Sequence, residues 1–124
     1  MDSEGRLPQA YSEFLKSKGW PLHEIGTSDF AFRREHALQA LQLLKDRPIA
    51  ILGGDVLRVI QNRPEYVYDN WHCDIGESES VNEYFKRTWK TAMDYVKKYP
   101  EAEGETNLYL IVLADERWYE RHET

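Results

Sequence analysis

Residues 80–113 read SVNEYFKRTWKTAMDYVKKYPEAEGETNLYLIVL, a helix followed by a strand. Ser80-Val81-Asn82-Glu83 matches a capping box, in which serine and glutamate each satisfy an N–H group at the start of a helix. Val81, Phe85, Thr88, Ala92, Val96 and Tyr99 then recur at the helical period, and Tyr84 and Trp89 broaden the stripe. Lys97 and Lys98 complement the negative end of the helix, and Pro100 ends it. After a polar turn at Gly104, Leu108 to Leu113 is a strand. Its near-continuous apolarity predicts a central strand covered on both faces.

Working outward toward the N-terminus, Ile49-Ala50-Ile51-Leu52 and Val56-Leu57-Arg58-Val59-Ile60 read as two strands separated or bent by Gly53-Gly54. Gln61 to Pro64 is the expected turn, and Tyr66-Val67-Tyr68 opens a third strand. Ala37, Leu38, Ala40, Leu41 and Leu44 mark another helix. Phe30-Ala31-Phe32 is an extended lead-in to it. A first helix runs from near Pro8 to Gly19, with Tyr11, Phe14 and Leu15 on one face. The expected fold is α+β: one domain over residues 1–124, with a small mixed or antiparallel sheet and about three helices packed on it. An acidic tail is expected after Ala114.

Composition bounds the function. A chain of 124 residues suits one domain and can build a core without staples. With 13% aromatic residues it is no disordered chain. Cys73 is the single cysteine, which favours a reducing, cytoplasmic compartment. Met1 to Gly5 lacks a basic start to an apolar run, so no secretory signal is expected. No stretch is long and apolar enough to span a bilayer, so no membrane partner is expected. The formal net charge is -6. Six acids and no lysine or arginine lie between Glu65 and Glu83. That argues against nucleic acid, whose phosphates demand a basic footprint, and suits a basic protein partner.

Catalytic constellations are weak. His72-Cys73-Asp74 offers a thiol, an imidazole and a carboxylate, but neighbours on an extended chain point to opposite faces. A buried, unreactive thiol is the competing reading for Cys73. No second ligand cluster has zinc spacing, so neither a metal nor a cofactor is expected. Gly53-Gly54-Asp55 lacks the lysine and hydroxyl residue of a phosphate loop. Glu77 and Glu79 suit the N-terminus of the long helix. Tyr66, Tyr68 and Trp71 stand among Asp69, Asn70 and Asp74, where an aromatic can serve as an interface anchor or as core.

Leu52-Gly53-Gly54-Asp55-Val56, Tyr68-Asp69-Asn70-Trp71-His72-Cys73-Asp74 and the capped helix with Tyr84 and Ala92 together resemble the immunity protein 40 family of bacterial polymorphic toxin systems. The resemblance covers about residues 30 to 113. It implies a small cytoplasmic protein, not an enzyme, that binds and neutralises a cognate toxin. It supplies no catalytic residues. The residues themselves point to Glu65, Tyr66, Tyr68, Asp69, Trp71, Asp74, Glu77 and Glu79 as the contact surface, with carboxylates for a basic cleft such as a nuclease's and aromatics as anchors. The expected state is a monomer or weak homodimer. Two other readings stand: a self-associating structural module, and a hydrolase using Cys73 and a histidine.

Overall fold

The computed structural model describes residues 6–122. The reading of Met1 to Gly5 as no secretory signal therefore lies outside the described residues. Among the described residues, four helices and two antiparallel sheets make the α+β fold. Helix α1 (Gln9–Lys18) leads into a two-stranded ribbon, β1 (Trp20–Pro21) and β2 (Phe30–Ala31), which encloses a short 3-10 turn at His23–Ile25. Helix α2 (Arg34–Leu43) follows. Strands β3 (Ile51–Ile60) and β4 (Arg63–His72) form a long hairpin, then come α3 (Val81–Lys98), β5 (Asn107–Leu113) and α4 (Glu116–His122). The main sheet has the order β4-β3-β5.

Two apolar clusters hold the sheet from opposite sides. On the inner face, α2, α3 and α4 bury Leu41, Tyr84, Val96 and Trp118 against Val56, Tyr109 and Ile111. On the outer face, Leu22 and Ala31 from the ribbon cover Leu57, Leu108 and Leu110. The capping box forms as read: Ser80 Oγ accepts from the Glu83 N–H, and Glu83 accepts from the Ser80 N–H. The indole N–H of Trp89 donates to the Leu41 carbonyl at 2.6 Å, tying α3 to the end of α2.

The structure corrects four expectations. Gly53-Gly54 does not divide the chain; β3 is one ten-residue strand whose register slips against β5 between Ile51 and Gly53. The hairpin turn is Gln61-Asn62 alone, both left-handed as a two-residue turn requires, and Pro64 already belongs to β4. β5 is an edge strand, not the central one. Its five buried residues report cover on both faces, which is a different property from centrality. Phe32 occupies part of its free edge by exchanging two backbone hydrogen bonds with Tyr109. Finally, the expected acidic tail is α4, with Trp118 and Tyr119 in the core.

α4 and α3 share a structural task at the start of β3. The Tyr119 hydroxyl accepts from the Ala50 N–H at 2.9 Å, and Thr88 Oγ1 accepts from the Ile51 N–H at 3.1 Å. Both donors are buried, where an unmade hydrogen bond is costly.

Candidate functional site

β4 is the other edge of the main sheet, and most of the candidate contact residues lie on it. Its register against β3 slips between Asp55 and Leu57: Asn70 faces Asp55 and Tyr66 faces Leu57, so three residues of β4 stand opposite Val56 alone. Tyr68 is the middle residue of this bulge. It has φ of 65°, a left-handed conformation that a bulky side chain rarely adopts. Its ring is thrown into solvent and is 87% exposed.

Two residues that follow it are braced. Asp69 accepts a short hydrogen bond from the Tyr99 hydroxyl at the end of α3. Burial and that carboxylate push the Tyr99 hydroxyl up to about 12. Trp71 departs from the expected set of surface anchors: it is only 7% exposed and faces inward. Its indole stacks on Tyr95, with ring centroids 4.6 Å apart. The strand's alternation turns it toward α3, and the bare backbone of Gly54 leaves room for the ring.

Tyr66 points to the outer face and is 39% exposed. Burial first, then the charges of Asp55 and Asp29, hold its hydroxyl above the ordinary value. Glu65 is exposed opposite Arg58. Asp74 follows the end of β4 and lies 3.4 Å from His72. Glu77 is exposed in the next loop. Glu79 is engaged within the chain. Arg87 donates to both of its oxygens, at 2.8 and 2.9 Å, and the Gly76 N–H donates at 3.0 Å. These bonds hold its carboxyl at about 2, well below the usual range.

Tyr66, Tyr68 and Asp69 thus share one edge, while Asp74, Glu77 and Glu79 follow beyond its end. Asp55, Asn70, His72 and Val112 were not among the expected contact residues. They line a shallow groove of about 260 Å³ with Gly53 and Gly54 on the outer face. Reading Gly53-Gly54 as a break hid the period of two that puts Gly53 and Asp55 on one face with Asn70 and His72.

Cys73 and His72 leave the chain on opposite sides. Cys73 is buried in the inner cluster, and the His72 side chain is 72% exposed. The Tyr84 hydroxyl donates to the Cys73 carbonyl at 2.5 Å, fixing this end of β4 to α3. Among the described residues no three His, Cys, Asp or Glu side chains converge as metal ligands, and no helix is long and apolar enough to cross a membrane. What the edge offers chemically is acceptors: carboxylates, an amide and tyrosine hydroxyls, suited to a partner's cations and N–H groups.

No curated protein and no solved structure matches the chain. The family model described as Immunity protein 40 matches residues 21–113, which run from the outer ribbon through the last strand of the main sheet. With a match over most of its length, the chain belongs to the immunity protein 40 family.

Proposed function

We propose that this protein neutralises a cognate bacterial toxin by binding it, and that the β4 edge with the loop after it is the contact surface. Tyr68 carries the reading. A left-handed tyrosine costs about 1–2 kcal/mol of backbone strain. Its ring, 87% exposed, recovers little of that within the chain. Strain held at an exposed aromatic on a braced strand is the geometry of a pre-organised anchor. Glu65 and Asp69 put negative charge on the anchor's own strand, Asp74 and Glu77 add it in the segment beyond, and Tyr66 is a second aromatic. Glu79 supports the surface by holding the loop through Arg87.

This surface suits a basic cleft, of which a nuclease's phosphate-binding site is one kind. Charge speeds the encounter, and the buried aromatic slows escape. The inhibition is steric: no bond is made or broken. The reading places the protein in the cytoplasm of the producing cell, where Cys73 stays reduced.

The test is titration calorimetry against the toxin domain encoded beside this chain, with circular dichroism as the control for folding. Tyr68→Ala is expected to bind about 30-fold more weakly with an unchanged spectrum. Absence of binding by the wild-type protein overturns the proposal. Unchanged affinity of the variant removes β4 from the interface.

A further inference from the structure

The outer face of the main sheet is only partly roofed. Across its three strands, Leu108, Leu57 and Tyr66 form one row, and the ribbon covers the first two. Two residues further along β3, Asp55 lies between Leu110 and Asn70. Beyond it Gly53 lies between Val112 and His72. Asn70 and His72 are exposed here, and Val112 is 37% exposed. The groove of about 260 Å³ runs over these last two rows.

We propose that this groove is a socket for one arginine or lysine side chain of the toxin, with Asp55 as its counter-ion; the inference rests on the toxin-binding reading above. The floor is bare by construction. A Cβ on Gly53 would collide with the Trp71 carbonyl, and its φ of 154° disfavours any other residue. The volume is below that of ordinary small-molecule sites and fits a single long side chain. Val112 supplies an apolar wall for the methylene stem, and Asn70 a carbonyl acceptor beside the carboxylate.

Asp55 is half-buried in the central strand, and no lysine, arginine or histidine among the described residues forms an ion pair with it. Burial holds its carboxyl above the ordinary value. A partly desolvated carboxylate without a counter-charge is unfavourable until a cation arrives. The surroundings have the same sign: Asp29 acts with Asp55 on Tyr66, and no lysine or arginine occurs from Glu65 to Glu83. The one cation-capable neighbour, His72, is turned to Asp74. An anionic occupant is therefore disfavoured, and a guanidinium, planar and weakly hydrated, fits best.

The test is calorimetry of the full chain against the toxin domain encoded beside it, comparing wild type, Asp55→Asn, Val112→Lys and Glu13→Gln. Asp55→Asn keeps the shape and removes the charge. Val112→Lys sets a competing cation at the socket's wall. Glu13→Gln removes an equal charge from α1. The first two are expected to weaken binding about tenfold or more, and the control to change it less than twofold. Thermal melts confirm that each variant is folded. If wild type binds and both socket variants bind within twofold of it, the socket is refuted while toxin binding stands. If wild type does not bind, both proposals fall.

Discussion

The indole of Trp71 lies against the bare backbone of Gly54, its partner across the β3–β4 ladder. A Cβ added to Gly54 would fall inside the contact distance of both Trp71 Cη2 and the Leu110 carbonyl oxygen. The pair decides what β4 presents to solvent. Because the glycine accepts the ring, the largest aromatic of the strand enters the core and stacks on Tyr95. The bulge immediately before it then projects Tyr68 outward.

Gly54→Ala should accordingly destabilise the protein by about 3 kcal/mol, since a packed ring and a backbone carbonyl must both move. Urea denaturation measures this. A loss below about 0.5 kcal/mol would mean that the ring sits loosely.

Tyr68→Gly separates stability from binding. Glycine adopts the left-handed bulge without steric strain, and the relief outweighs its entropic cost, so the variant should gain about 1 kcal/mol in stability. The same change should weaken toxin binding, because the anchor is gone. A variant less stable than wild type would show that the tyrosine ring supports the fold.

Tyr119→Phe removes the acceptor for the buried Ala50 N–H. The expected cost is about 2 kcal/mol, that of an unsatisfied buried donor. Chemical denaturation of the full chain reads it. An unchanged midpoint would detach α4 from the start of β3.

Glu79 predicts a pH dependence. Its carboxyl is held at about 2 by the bonds from Arg87 and Gly76, against about 4.5 for a free side chain. A depressed folded value means that the ionised form contributes stability above the free value. That contribution is lost as the pH falls toward 2. The stability difference between wild type and Glu79→Gln should therefore narrow from pH 5 to pH 2 and stay constant above pH 6. Equal denaturation midpoints at pH 6 would show that the pair contributes nothing in solvent.

Local signals made much of the fold legible. The capping box and apolar stripe of α3 read directly, because capping and periodicity are contained in one segment. The same holds for the Ala37 to Leu44 stripe of α2 and the burial of Leu108 to Ile111. The α4 helix was hidden by its charges. Trp118 and Tyr119 are two aromatics among acids and arginines, and only packing against Tyr84 and Phe85 of α3 gives them a place to bury.

The sequence by itself determined the α+β class, the three longer helices, the family and the acidic, aromatic character of the segment after Pro64. Each of these is a matter of residue type and short-range spacing. Tertiary structure alone decided that Trp71 is core and Tyr68 is surface, and that Asp55 joins Asn70 in one groove. Which face a strand residue takes depends on its register with another strand. That register turned on a bulge in β4 and two glycines in β3, which only pairing across the sheet could bring together.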